Sequence, residues 1–252
     1  GASIAYLLWI EFLRGLLGVS VDDAPAEVES VLRAQLQVLC PARFDAVHPY
    51  LARLMSLPLP EEIEKQVEGL DGRERRDRTF RAVETLIACT VRQGPLVLVC
   101  EDLHWADPTS LQLLEQLLPL TKRNPLLLIC VFRPRREHPS WRLRETATQE
   151  DADRHTDLCL EPLSSTESQA LVANLLTIDE PCPELAEGVP GALKARILSR
   201  AEGNPFFAEE LAHTLQEQGL LLAHDGDLSS LRDQIPDTIE GVILAGVDRL
   251  HP

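Results

Sequence analysis

The chain has 252 residues, of which 44% are hydrophobic and 25% charged, and a formal net charge of −16. This length suits one large or two small domains with a real apolar core, and the composition is that of an ordinary soluble globular protein. The acidic balance argues against nucleic-acid binding by this segment, and no apolar run approaches the ~18 residues of a transmembrane helix.

Residues 1–92 read as a succession of helices. Leu7, Leu8, Phe12, Leu13, Leu16 and Leu17 recur at helical spacing, and Gly18 is placed to end the helix. The pattern continues over Glu27–Leu39 and Arg43–Met55, with Cys40-Pro41 between them. After the turn at 57–60 come helices over Glu61–Leu70 and Arg73–Arg92, the second with Phe80, Val83, Leu86, Ile87 and Val91 on one face. The charged run Arg73–Arg78 is a solvated, mutually paired face.

From residue 95 the periodicity changes. An apolar Val-rich run over 95–100 reads as a buried parallel strand, followed by a helix Pro108–Leu120 with Asp107 as its N-cap. A second buried strand, Pro125–Phe132, leads to Arg133-Pro134. A helix near 139–147 and a short strand at Asp157–Leu160 follow. Strands alternating with helices imply a mostly parallel sheet.

Beyond Pro162 the chain becomes helical again. Ser164 to Glu167 carries a capping signal for a helix 166–177, and helices at 190–202 and 205–218 flank Gly203-Asn204-Pro205. Residues 219–226 suggest a strand and turn, and a last helix follows Pro236. The six cysteines form no Cys-x-x-Cys pair, which fits a reduced cytosolic setting rather than a disulfide framework or a structural zinc site.

The chemistry concentrates where the first strand ends. Glu101 and Asp102 follow the apolar run directly, and the full stretch reads LVLVCEDLHWAD. Carboxylates at the carboxyl end of a parallel strand sit where open α/β sheets bind ligands. One can hold Mg²⁺, which prefers oxygen ligands, and the other can orient or deprotonate an attacking water. This is a Walker B arrangement. Its usual companion, Gly-x-x-x-x-Gly-Lys-Ser/Thr, is missing from these residues: the three lysines are Lys65, Lys122 and Lys194, and none follows a glycine. Two explanations stand, a fragment of a longer protein whose phosphate-binding loop lies upstream, or a degenerate relative that does not hydrolyse nucleotide.

In chain order, LVLVCEDLHWADPTSLQLL, LLLICVFRP, AEGNPFFAEEL and IPDTIEGVILAGVDRL resemble the ATPase region of STAND-class P-loop NTPases. The similarity is to the AAA-like ATPase domains fused to bacterial class III adenylate cyclases and LuxR-type regulators. It implies an α/β fold, with an incomplete P-loop NTPase-type parallel sheet and a large helical insert before Walker B. The insert spans 1–92, the core 93–162, a helical lid 163–219, and the start of a winged-helix-like module 220–252.

The same resemblance implies ATP or ADP and Mg²⁺ as cofactors. It gives Glu101 the metal side and Asp102 the water side, both counted as candidate metal ligands, with the assignment between them open. Arg133 holds the sensor position, His104 lies near the phosphates, and Gly203, Asn204 and Pro205 form the lid motif that meets the nucleotide. The expected function is the ATP-binding and hydrolysing switch of a cytoplasmic multidomain signalling protein. Its partners would be nucleotide, a fused or partner effector (cyclase, kinase or DNA-binding) and, in one nucleotide state, further copies of itself. The alternative is a non-catalytic interaction scaffold derived from the same fold. With part of a parallel sheet uncovered, poor solubility is also expected.

Overall fold

A computed structural model describes residues 5–150, 152–176 and 191–217. The chain divides into two compact units, Gly1–Thr156 and Asp157–Pro252. In the first, α1 (Leu7–Leu17) ends at Gly18, whose positive φ of 66° lets the chain turn back so that the Val19 N–H donates to the Arg14 carbonyl at 3.1 Å. Helix α2 (Pro25–Leu39) starts with proline at its first position, where the missing N–H costs nothing. A single 3₁₀ turn, Pro41–Arg43, separates it from α3 (Phe44–Leu54). Helix α4 (Glu61–Glu68) follows, then α5 (Gly72–Thr90), capped by the Asp71 carboxylate accepting from the Glu74 N–H at 2.7 Å.

The apolar face read in α5 is the one that is buried: Phe80, Val83, Leu86 and Ile87 lie inside, packed chiefly against α3. The charged start of α5 is paired outside, Arg78 with Glu74 at 2.7 Å and Arg76 with Asp77 at 3.5 Å. Such exposed pairs contribute a few tenths of a kcal/mol, roughly, so the helix is held by its buried face.

Strand β1 (Leu96–Cys100) and strand β2 (Leu126–Cys130) pair in parallel, in register from Leu96 with Leu126 to Cys100 with Cys130. Helix α6 (Pro108–Thr121) makes the crossover between them, and α7 (Pro139–Glu150) packs on α6. Glu115 ties that contact, accepting from the Thr146 hydroxyl at 2.6 Å and lying 3.3 Å from the Arg142 guanidinium. The helices before β1 are not a separate layer: Trp9, Leu36 and Ile87 belong to the same apolar core as Leu98, Cys100 and Leu114.

Two readings of the strands require correction. The runs look buried throughout in sequence, yet the described residues cover only one face of the pair. Leu98, Cys100 and Leu126 point into the core, while Val97, Val99, Leu127 and Ile129 on the opposite face are 41–55% exposed. Alternation of side chains across a pleat places every second residue outward, and the described helices cover one side. The strand read at Asp157–Leu160 does not form either. Leu158 and Leu160 are exposed in irregular chain, because no described residue offers that segment a ladder partner.

The second unit contains α8 (Ser165–Leu175), α9 (Gly191–Ala201) and α10 (Pro205–Glu217), closed around Val172, Leu193, Ile197, Phe207, Leu211 and Leu215. The capping box read from sequence is present: the Ser164 N–H donates to the Glu167 carboxylate at 2.8 Å, and the Glu167 N–H to the Ser164 hydroxyl at 3.3 Å. The features read over 219–252, including the winged-helix-like module, lie outside the described residues. Among the described residues, no helix is long and apolar enough to cross a membrane, and all five cysteines are free.

One buried titratable group makes the first unit acid-sensitive. His48 on α3 is 2% exposed, stacks on Phe44 with ring centroids 4.9 Å apart, and lies 3.1 Å from Glu29. Burial, helped by Arg33, holds its pKa below the ordinary value despite the Glu29 carboxylate. The unfolded chain therefore takes up this proton first as pH falls through about 6.5, so stability is lost below that point. Going from about pH 7.5 to about 5.5, the urea midpoint of the wild type should fall further than that of His48→Gln, which keeps a donor toward Glu29 but cannot titrate. Equal losses in both proteins would contradict this.

Candidate functional site

The two strand tails run on side by side beyond the regular ladder. The Val131 N–H donates to the Cys100 carbonyl at 2.8 Å, and the Leu103 N–H donates to the Val131 carbonyl at 3.0 Å. These bonds hold Glu101 and Asp102, on the β1 tail, beside the β2 tail that carries Arg133. All three side chains are on exposed residues at the carboxyl end of the pair, where parallel sheets present ligand-binding groups. Leu103, fully buried, anchors the turn from below.

Asp102 adopts the left-handed conformation, with φ of 51°. Aspartate tolerates that region better than most residues, but it still costs on the order of 1 kcal/mol. Its carbonyl accepts from the Trp105 N–H at 2.8 Å, closing a tight turn that folds His104 inward and leaves Trp105 outside. The His104 side chain is 6% exposed, and its Nδ1 lies 3.7 Å from the Asp102 carboxylate. Trp105 is 75% exposed and rests against the His104 ring at 5.1 Å between centroids.

The turn is clamped at its far end by Asp107. One carboxylate oxygen accepts from the Thr109 N–H at 3.0 Å and the Ser110 N–H at 2.9 Å, which is the N-cap read from sequence. The other accepts from the Ser110 hydroxyl at 2.5 Å and, across 101 positions of chain, from the Tyr6 N–H at 3.0 Å. The Trp9 indole adds a second tie, donating to the Ser110 carbonyl at 3.1 Å. Sequence reasoning missed Tyr6 and Trp9. The signal was there in part, since a lone tryptophan within a leucine-rich helix needs a partner for its N–H once buried.

The donor set of Glu101 and Asp102 is all oxygen, exposed and anionic, which fits Mg²⁺. Among the described residues, no cluster of three or more histidine, cysteine or acidic side chains could hold a metal by itself, so these two acids would supply part of a coordination sphere only. Behind them, burial pushes the Cys100 and Cys130 thiols up to about 11 and about 12, which disfavours the nucleophilic thiolate.

Gly203, Asn204 and Pro205 lie in the second unit, between α9 and α10. Gly203 has φ of 81°, and a Cβ there would sit 2.6 Å from the Leu163 carbonyl oxygen. Its carbonyl accepts from the Leu163 N–H at 2.8 Å. Asn204 caps α10 by accepting from the Phe207 N–H at 3.3 Å, and Pro205 takes the first helical position. Each residue of the motif thus has a local structural task. Of the two phenylalanines that follow, Phe207 is buried in the core and Phe206 is 47% exposed.

Residues 2–129 match the family model described as AAA ATPase domain. The chain belongs to that family. The matched region contains Glu101, Asp102 and His104 and stops short of Arg133 and the Gly203 motif. It makes this a P-loop NTPase-type domain, consistent with a mostly helical α/β fold around a small parallel sheet. An uncharacterized protein of Rhizobium meliloti (strain 1021) is 33% identical over 102 residues, covering 40% of this chain and 9% of that protein. The chain therefore spans about a tenth of that relative's length. No solved structure matches.

The Asp107 clamp generates a direct expectation. Asp107→Ala removes an N-cap and orphans the Tyr6 N–H, which should cost about 2–3 kcal/mol in urea unfolding. A loss below about 0.5 kcal/mol would mean that α1 is held by other contacts.

Proposed function

We propose that this chain is the Walker B region of an ATP-binding and hydrolysing regulatory switch of the STAND class, within a multidomain signalling protein of the adenylate cyclase-associated or LuxR type. The observation that carries the reading is the pair Glu101 and Asp102, exposed at the carboxyl end of β1 beside the tail that bears Arg133, in a chain of the AAA ATPase domain family. The small share of the Rhizobium relative that the match covers supports a setting in a much longer protein.

In this reading Mg²⁺ would be held from the Glu101 side and would supply neutralisation of phosphate charge. Asp102, its backbone fixed by the turn, accepts a hydrogen bond from the attacking water and orients it. Arg133 reaches the terminal phosphate as a planar, permanently charged donor, and so distinguishes ATP from ADP. The phosphate cradle comes from residues outside this chain, and Gly203 to Pro205 carry the lid's response to nucleotide. Effector output, whether cyclase, kinase or DNA binding, and any nucleotide-dependent assembly also lie outside it. Nucleotide shifts the lid only to the extent that it binds the two arrangements differently.

The test uses Asp102→Asn in the protein as encoded in full. Asparagine tolerates the left-handed backbone as aspartate does, so the turn is preserved while the proton-accepting carboxylate is lost. Turnover of ATP should fall by ~10²-fold or more, with ATP affinity retained. Unchanged turnover would overturn the role of Asp102.

A further inference from the structure

Among the described residues, the buried side-chain polar atoms without a hydrogen-bond partner are Nδ1 and Nε2 of a single residue, His104. A buried polar group left unpaired costs about 1–3 kcal/mol, and leucine or phenylalanine would fill a packing position without that cost. The chain on either side of the orphaned ring is tied down. Leu103 before it is fully buried and bonded to Val131, and Asp107 after it is locked into the start of α6. The group that faces it is open to solvent: the Asp102 side chain is 76% exposed, with its Oδ1 3.7 Å from Nδ1. That gap is too long for a hydrogen bond and short enough for rotation of the carboxylate to close it to ~2.9 Å.

We propose that His104 is a positioning residue for Asp102. It donates from Nδ1 to one Asp102 oxygen when the site holds Mg-nucleotide, which leaves the second oxygen turned toward the attacking water. The proposal rests on the reading of Asp102 given above and goes beyond a direct contact of His104 with phosphate. It accounts for the left-handed backbone at Asp102, which sets carboxylate and ring on the same side of a tight turn. The Trp105 ring packs against the His104 ring at 5.1 Å between centroids, on the outer side of the same turn.

The test compares His104→Leu, His104→Asn and His104→Gln in the protein as encoded in full. The asparagine amide nitrogen falls where Nδ1 lies, and that of glutamine where Nε2 lies. His104→Leu should lower kcat by ~10–100-fold with the Kd for Mg-ATP unchanged, as is usual when the partner orienting a reactive carboxylate is removed. His104→Asn should recover most of the loss and His104→Gln should not. Independently of turnover, the ¹⁵N resonance of His104 Nδ1 should move to that of a hydrogen-bond donor when Mg-ADP is added. Wild-type kcat in His104→Leu, equal kcat in the asparagine and glutamine variants, or a resonance unmoved by bound Mg-ADP would each overturn the positioning role. If His104→Leu does not fold, the asparagine–glutamine contrast and the resonance decide. A wild-type protein that binds no Mg-ATP would instead overturn the ATPase reading, and this proposal with it.

Discussion

The carboxylate of Asp107 is the joint on which the first unit depends. Four donors converge on its two oxygens: two backbone N–H groups and the Ser110 hydroxyl at the start of α6, and the Tyr6 N–H more than a hundred positions earlier. An N-cap alone is worth about 1 kcal/mol. The long-range bond adds a geometric consequence, because it fixes the entry of α1 at the same point where the turn after β1 must end. With the Cys100 carbonyl bonded to the Val131 N–H at the other end, the six residues from Glu101 to Ala106 are strung between two fixed points. Their conformation follows from that confinement: a left-handed Asp102, a buried His104 and an outward Trp105.

A fixed base with exposed acids above it would suit the nucleotide-responsive site proposed for them. The helices and the inner face of the strand pair form one dense core, and the acids stand at its edge on exposed side chains. Differential binding acts on such groups cheaply, since moving an exposed carboxylate by an ångström disturbs no packing. Among the described residues, the buried side-chain polar atoms that lack a hydrogen-bond partner belong to the ring of His104, and it lies beneath the acids rather than elsewhere in the core.

Much of this was legible in the sequence. Helical periodicity, Gly18 as a stop, Asp107 as a cap and the Ser164 capping box are local signals, and each element forms within a few residues of where its pattern lies. The parallel pairing of β1 with β2 followed from two apolar runs separated by one helix. What escaped was non-local. The open face of Val97, Val99, Leu127 and Ile129 depends on which elements cover the sheet, and the run of apolar residues reads the same either way. Asp157–Leu160 has strand composition but no described neighbour to pair with, and a strand exists only as part of a ladder. The link from Asp107 to Tyr6 and Trp9 joins segments that no window of sequence contains together. Gly203 to Pro205 showed the converse, since one short motif has a complete structural explanation within its own unit whatever else it contacts.

The measurement that bears most directly on the account is calorimetric titration of Mg-ATP into the protein as encoded in full. The account predicts saturable binding that weakens when Mg²⁺ is withdrawn and when Glu101 is replaced by glutamine. Absence of binding at millimolar nucleotide would contradict it, leaving the acids at the end of β1 as the surface of a scaffold.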